Sequence, residues 1–200
     1  MINEVELNDI NASSISVIMV SYMTGPALFE AIKHVILDTK ISELIIIDNG
    51  NPEQVREKLF LLVKSYGHIK VKTGHGNIGF SKGCNYGAKV ASGNYLLFLN
   101  PDALITKNSA SKLMNLGKNL KRPWITGGKL INSRGEEQRG SRRGEVTLFS
   151  SLLTVLHLVK KTIHQENNPL PNGAIPCSAV SGALLMIDKP SFQIINGFDE

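Results

Sequence analysis

Residues 96–102 read Leu-Leu-Phe-Leu-Asn-Pro-Asp, four large apolar side chains followed at once by polar and acidic ones. Four consecutive apolar residues are typical of a strand that is covered on both faces, as in a parallel sheet. Because Pro101 cannot donate to a central ladder, we expect the strand to stop before it. Asp102 would then lie just beyond the carboxyl end of the strand, at the edge where open α/β sheets bind ligands.

The carboxylate of Asp102 could coordinate a divalent cation, and that cation could in turn hold a diphosphate. Taken alone, the same residues fit an Asn-Pro-Asp turn after a core strand equally well. The pattern of the remaining chain favours the ligand-binding interpretation.

Short apolar runs alternate with amphipathic segments along the first 122 residues. This pattern predicts strands at 15–20, 44–47, 69–71 and 95–99, with helices near 27–37, 52–66, 80–91 and 108–120. Such alternation indicates right-handed βαβ units around a parallel sheet. Beyond residue 122 we expect a strand at 124–131, a polar basic loop or hairpin at 132–143, an amphipathic helix at 147–162, a turn-rich connector at 165–176 and a strand at 180–187.

These elements predict one α/β domain made of two halves on the same sheet. A loose lead-in covers residues 1–14, a nucleotide-type half covers 15–122, and a smaller appended half covers 123–200.

The composition is that of an ordinary soluble globular protein, with 42% hydrophobic and 20% charged residues. A formal charge of +5 suits an anionic partner, whereas 6% aromatic residues without a dense basic-aromatic pattern disfavour nucleic acid. Cys84 and Cys177 fit neither a disulfide framework nor a zinc motif, and the polar first residues are no signal peptide. The longest mainly apolar stretch, 146–159, is too short and too polar to span a bilayer, so we expect a cytoplasmic protein.

Three predicted strands end in residues that could bind a ligand. In a parallel sheet these ends lie along one edge and face one crevice. Asp48 could accept hydrogen bonds from a base N–H or a ribose hydroxyl, and an Asx turn with Gly50 explains it as well. The candidate residues at the strand ends are Ser21, Tyr22, Asp48, Asn49, Asn100 and Asp102.

A glycine-rich loop at 74–79 precedes the predicted helix 80–91. Its backbone N–H groups could point toward a phosphate, although the glycines could equally serve only to shape a turn. Lys82 lies one helical turn further on and could meet an anion or remain a solvated surface lysine.

Two further features leave a choice open. Arg134, Arg139, Arg142 and Arg143 could recognise phosphate through their guanidinium groups or belong to a solvated loop. The predicted helix 147–162 could pack its apolar side in the core or lie on a membrane surface.

Six segments carry a resemblance to a known family. They read SVIMVSY at 16–22, IIDNG at 46–50, GNIGFSKGCNYG at 76–87, LFLNPD at 97–102, SGALLM at 181–186 and GFDE at 197–200. In this order and spacing they resemble the inverting family 2 glycosyltransferases of the GT-A fold, and among these the bacterial rhamnosyltransferase-like members. The resemblance implies a Rossmann-like nucleotide-sugar-binding half at 15–122, with a mostly parallel central sheet flanked by helices, and an acceptor-side half at 123–200.

The resemblance also implies roles for individual residues. Asp102 would be the ligand of a divalent metal, Mg²⁺ or Mn²⁺, with Asn100 replacing the first acid of the usual D-x-D. Asp48 and the backbone of Ser21 and Tyr22 would bind the nucleotide. The remaining donor-site residues would be Asn77, Gly79 and Lys82, and Gly182 and Ala183 would lie beside the acceptor sugar.

The implied activity is transfer of a sugar, with inversion, from a UDP- or dTDP-linked donor, dTDP-rhamnose being one candidate. The acceptor would be a saccharide or a lipid-linked saccharide in the synthesis of cell-surface polysaccharide. The basic loop beside the predicted amphipathic helix makes peripheral association with the cytoplasmic face of the membrane an option.

The general base of this family normally follows the Gly-Phe-Asp-Glu segment, and the sequence stops at Glu200. Asp199 and Glu200 precede the usual base and are weak substitutes for it. We therefore expect a GT-A domain that lacks its C-terminal part, binds nucleotide and transfers sugar poorly. The alternatives are a non-catalytic nucleotide-sugar-binding remnant and a nucleotidyltransferase, although residues 21–25 lack the Gly- and Arg-rich loop of the latter.

Overall fold

The computed structural model describes residues 13–138, 141–143 and 173–200. In these segments the chain forms a mixed α/β fold, as the sequence predicts. The strands are β1 (Ile15–Ser21), β2 (Ile41–Asp48), β3 (Ile69–Lys72), β4 (Tyr95–Leu99), β5 (Thr126–Gly127), β6 (Arg142–Arg143), β7 (Ala179–Val180) and β8 (Leu184–Asp188). The helices are α1 (Pro26–Ile36), α2 (Glu53–Ser65), α3 (Phe80–Val90), α4 (Ser109–Lys118) and α5 (Lys189–Ile194).

The central sheet has the strand order β3-β2-β1-β4-β8-β5. Strands β1 to β4 pair in parallel, and β8 pairs antiparallel with β4. Every residue of β1 and β4 is buried, which explains why these strands are apolar on both faces. The predicted mostly parallel sheet is therefore confirmed.

Helix α3 packs closely against β1 because two of its residues are glycines. A Cβ atom at Gly83 would lie 2.9 Å from Cγ1 of Val20, and one at Gly87 would overlap the side chain of Ile18. A larger side chain at either position would push the helix away from the strand.

The prediction of a strand at 124–131 is wrong for most of that range, because only Thr126–Gly127 forms a strand. Gly127 and Gly128 interrupt the run, and glycine weakens a strand interior. Trp124 is buried and its ring lies 6.2 Å from that of Tyr95. The predicted hairpin is present as an antiparallel bridge between Ile131 and Glu137.

The strand predicted at 180–187 is divided in two. Val180 belongs to β7, which pairs with β6, and β8 begins only at Leu184. Gly182 lies in the break. The sequence analysis also missed α5, whose first turn is capped by the Asp188 carboxylate accepting from Ser191 N at 2.9 Å.

The described residues form two compact units. One contains the described residues up to 126 together with 182–200, and the other contains the described residues from 127 to 181. The boundary that we place between residues 122 and 123 stays a prediction. The lead-in up to residue 12, the predicted helix 147–162, most of the connector 165–176 and Arg139 lie outside the described residues, as do the side chains of Arg142 and Arg143. None of the helices in the described segments is both long enough and apolar enough to cross a membrane.

At the amino ends of the strands, Glu43 forms a buried polar cluster that the sequence pattern did not reveal. Its Oε1 accepts from Ser16 Oγ at 2.5 Å and from Ser92 N at 2.5 Å, and its Oε2 accepts from Lys70 Nζ at 2.5 Å. Burial raises the pKa of Glu43, but these donors outweigh burial and lower its pKa to about 2. The carboxylate thereby joins β1, β2, β3 and the turn before β4.

We expect Glu43→Gln to destabilise the protein by about 2 kcal/mol, because a charged acceptor of several hydrogen bonds is replaced by a neutral one. Since the folded-state pKa is depressed, the stabilisation is fully present above the ordinary value of 4.5 and is lost as the pH falls toward 2. Urea unfolding at a series of pH values measures both effects. Glu57→Gln, a change at an exposed carboxylate, is the control. If the difference in unfolding free energy between the parent and Glu43→Gln were the same at pH 3 and pH 7, this role would be contradicted.

Candidate functional site

The carboxyl ends of the parallel strands meet at one edge of the sheet. In the register, Ser21 lies opposite Asp48, and Ile47 lies opposite Lys72. At the far side of β4, Leu99 lies opposite Leu184, and Asn100 N donates to Ala183 O at 3.0 Å. The structure thus brings the predicted strand-end candidates and the start of β8 to the same edge.

Asp48 is buried and its carboxylate is held by four donors. Oδ1 accepts from Asn51 N at 2.8 Å, Asn51 Nδ2 at 2.7 Å and Gly50 N at 3.3 Å, and Oδ2 accepts from Thr73 Oγ1 at 2.7 Å. Burial raises the pKa of Asp48, but the hydrogen bonds hold it below the ordinary value. The Asx turn is therefore present, while Oδ2, with one donor, retains capacity for another hydrogen bond.

Ser21 is fully buried and is bound to Asn51. Its Oγ donates to Asn51 Oδ1 at 3.2 Å, and its carbonyl O accepts from Asn51 Nδ2 at 3.0 Å. The neighbouring Tyr22 is 53% exposed, and its ring borders Gly50. The sequence analysis missed Asn51, although an Asn three residues after a strand-end Asp is a usable signal for such a turn.

Asn49 joins the end of β2 to the glycine-rich loop 74–79. Its Nδ2 donates to Gly79 O at 3.0 Å and to Asn77 Oδ1 at 3.3 Å. Asn77 Oδ1 also accepts from Gly79 N at 3.0 Å. The exposed loop is therefore fixed by amide side chains.

Helix α3 starts directly after this loop, at the same edge of the sheet. Gly79, with a φ of 84°, precedes its first turn, which has no side-chain cap. Uncapped backbone N–H groups at a helix start attract anions. Lys82 is exposed in that first turn and adds a positive charge.

The loop after β4 presents a different kind of carboxylate. Asp102 is exposed, and within the described part of the chain no hydrogen bond or ion pair engages its side chain. The same loop is attached to α1, because Nδ1 of His34 lies 3.1 Å from the carbonyl O of Ile105. Across residues 13–138, 141–143 and 173–200, no group of three or more His, Cys, Asp and Glu side chains could hold a metal.

The predicted acceptor-side residues lie beside the donor-side ones. A Cβ atom at Gly182 would lie 3.9 Å from the ring of Phe80, the first residue of α3. Ala183 is the backbone partner of Asn100. Asp199 and Glu200 are both exposed, and Glu200 Oε1 accepts from Asn85 Nδ2 at 2.9 Å.

The comparison with known sequences gives a family and several relatives. The family model described as Glycosyl transferase family 2 matches residues 16–177. The minor teichoic acid biosynthesis protein GgaB of Bacillus subtilis is 31% identical over 103 residues, which are 50% of this chain and 11% of GgaB. The poly(ribitol-phosphate) β-N-acetylglucosaminyltransferase TarP of Staphylococcus aureus is 28% identical over 168 residues, 76% of this chain and 50% of TarP.

Two solved structures have the same fold. Staphylococcus aureus TarS 1–349 superposes with a TM-score of 0.62 at 16% identity, over 94% of this chain and 50% of that chain. GalNAc-T7, determined with UDP, GalNAc and Mn²⁺, gives 0.67 at 21% identity, over 93% of this chain and 36% of that one. The chain thus spans half or less of the length of these relatives.

We expect Gly87→Ala to destabilise the protein by about 1–3 kcal/mol, because the added methyl overlaps Ile18 of β1. The sign of the change in unfolding free energy is informative, because helix propensity alone would make the alanine variant more stable by about 1 kcal/mol. Urea unfolding measures the change. Lys89→Ala, on the exposed side of the same helix, is the control. A Gly87→Ala variant as stable as the parent would contradict the close approach of α3 to Ile18.

Proposed function

The chain belongs to glycosyl transferase family 2 and has its GT-A fold, and from that membership we propose that it binds a nucleoside-diphosphate sugar at the carboxyl edge of its sheet. The sugar would be transferred to a saccharide acceptor with inversion. The observation that carries this proposal is the convergence of Asp48, Asp102 and the uncapped start of α3 on one edge.

The nucleoside would bind at the ends of β1 and β2. The exposed ring of Tyr22 offers an apolar face beside Gly50, and Oδ2 of Asp48 offers an acceptor for a base N–H or a ribose hydroxyl. Because Ser21 and Asn51 hold each other and Asp48, this part of the site is ordered before a ligand arrives. Ser21 would contribute through its backbone.

The diphosphate would lie between the start of α3 and the loop after β4. Backbone N–H groups of the first turn and the exposed Lys82 supply positive potential for it. Asn77 and Gly79 would line this place and fix the course of the loop, since their polar groups hold each other.

Asp102 fits a divalent ion that arrives with the substrate. Its carboxylate is exposed and has no protein partner in the described segments, whereas the carboxylate of Asp48 is already engaged. Mg²⁺ commonly takes one or two protein carboxylates, the rest of its ligands being water and substrate phosphates. An ion of this kind, Mg²⁺ or Mn²⁺, would neutralise charge on the leaving nucleoside diphosphate. Asn100 adds an amide oxygen at the same strand end in place of a second carboxylate.

The named relatives favour a cell-surface polymer as acceptor, and one solved structure of the same fold suggests a UDP-linked donor as the first to test. TarP is named an N-acetylglucosaminyltransferase that acts on poly(ribitol-phosphate), and GgaB is named for teichoic acid biosynthesis. GalNAc-T7 holds UDP. We propose UDP-N-acetylhexosamines as the first donors to test, with dTDP-rhamnose second. The acceptor side would include Gly182 and Ala183, and a lipid-linked acceptor would bring the protein to the cytoplasmic face of the membrane.

We expect the protein to bind UDP more tightly with Mn²⁺ than with a chelator, and Asp102→Asn to lose most of that difference. Removing a direct ligand should weaken binding of the metal by at least the roughly 10- to 100-fold typical of second-shell changes. Calorimetric titration of UDP in Mn²⁺ and in EDTA measures both.

Glu57→Gln, an exposed carboxylate change on α2, is the matched control for Asp102→Asn. A metal response equal to that of the parent would show that Asp102 is not the ligand. No UDP binding by the parent under either condition would reject the proposed donor site.

A further inference from the structure

The side chain of Asn85, in α3, holds residues 197–200 by three hydrogen bonds. Asn85 Nδ2 donates to Phe198 O at 2.9 Å and to Glu200 Oε1 at 2.9 Å, and its Oδ1 accepts from Phe198 N at 3.0 Å. An amide side chain can replace a strand neighbour in this way, because it offers a donor and an acceptor together.

Gly197 is matched to this arrangement. Its φ of 75° is in the left-handed region that favours glycine. A Cβ atom there would also lie 2.7 Å from Asn85 Oδ1 and 3.2 Å from Phe192 Cζ. Both the backbone conformation and the space beside Asn85 therefore require glycine.

Phe198 anchors the same segment in an aromatic cluster. Its ring centroid lies 4.9 Å from that of Phe98 in β4, 6.1 Å from that of Phe192 in α5 and 6.1 Å from that of Phe80 in α3. Phe80 in turn borders Gly182. Residues 197–200 are thus separated from the proposed acceptor side by one aromatic ring.

We propose that Asn85 is a positioning residue, which fixes residues 197–200, the segment after which this family normally carries its general base, beside the proposed acceptor side. This inference rests on the proposed function. Asn85 lies on α3, whose first turn faces the proposed diphosphate site. One helix would therefore position both the donor and residues 197–200.

The chemistry of transfer makes such a fixed segment useful. An acceptor hydroxyl must give up its proton as it attacks, and a carboxylate can take it only within hydrogen-bond reach. A displacement of about 1 Å can cost a factor of about 100 in rate. Asparagine is a weaker helix former than alanine, so the bonds to Phe198 and Glu200 explain its place inside α3.

The test compares Asn85→Ala and Gly197→Ala with the parent in the complete protein. Asn115→Ala, an exposed asparagine change on α4, is the control. Three properties are measured for each variant: the thermal midpoint, the affinity for UDP with Mn²⁺ and the hydrogen-exchange rate of the Phe198 amide. Turnover is measured as the release of UDP from UDP-N-acetylglucosamine and UDP-N-acetylgalactosamine and of dTDP from dTDP-rhamnose.

We expect both variants to keep the UDP affinity of the parent within about twofold and to exchange the Phe198 amide at least about tenfold faster. Turnover should fall about 100-fold at an unchanged donor KM, as a displaced reacting group predicts. Asn85→Ala removes the hydrogen bonds, and Gly197→Ala displaces the same segment through its added Cβ atom and its φ of 75°. Because both changes act on one segment, the turnover of the double variant should fall no further than that of the single variants.

Three results would overturn the proposal: an unchanged Phe198 exchange rate, an unchanged turnover despite faster exchange, or a loss of UDP affinity as large as the loss of turnover. A complete protein that binds UDP but releases no nucleotide from any of these donors would overturn the link between this segment and turnover. A parent that binds no UDP rejects the proposed function instead, and Phe198 exchange then still decides whether Asn85 holds residues 197–200.

Discussion

The parallel pairing of β1 with β2 on one side and β4 on the other is the constraint on which the arrangement of the carboxyl edge depends. It sets Ser21 level with Asp48 and brings the loop that carries Asp102 to the same edge. A slip of one residue in either pair would turn the buried side chains of β1 to the opposite face. The register of these buried strands therefore specifies the site indirectly, because it determines which residues stand at the carboxyl edge.

The structure separates its carboxylates by environment. Glu43 and Asp48 are buried at opposite edges of the sheet, and hydrogen-bond donors lower the pKa of each despite burial. Such groups are already compensated and serve as cross-links between loops and strands. Asp102 is exposed at the carboxyl edge of the sheet, and no hydrogen bond or ion pair among the described residues engages its side chain. The sequence analysis singles out Asp48 and Asp102 at strand ends, but it does not single out Glu43 and gives no sign of the environments that separate the three carboxylates.

The sequence predicts what depends on local pattern. The buried face of α1, the apolar run of β4 and the loop before α3 follow from periodicity and glycine placement. The contacts of Glu43 with Ser92 and of Asn85 with Phe198 join residues 49 and 113 positions apart, and no local pattern records them. The break between β7 and β8 falls at Ser181 and Gly182, a local signal inside the predicted strand 180–187 that the sequence analysis did not use.

The carboxyl edge of the sheet and the segment at residues 197–200 are held largely by neutral amide side chains. Asn51 holds Asp48 and Ser21, Asn49 holds the loop at Asn77, and Asn85 holds the segment at Phe198. Each amide donates and accepts at once, so it can join two backbone segments without adding charge. Had lysine or arginine made these links, their charges would compete with the exposed Lys82 for an anionic ligand. Because amides carry no net charge, the electrostatic potential at this edge is determined mainly by Lys82, Asp102 and the start of α3. These are the groups that a metal-bound diphosphate would meet.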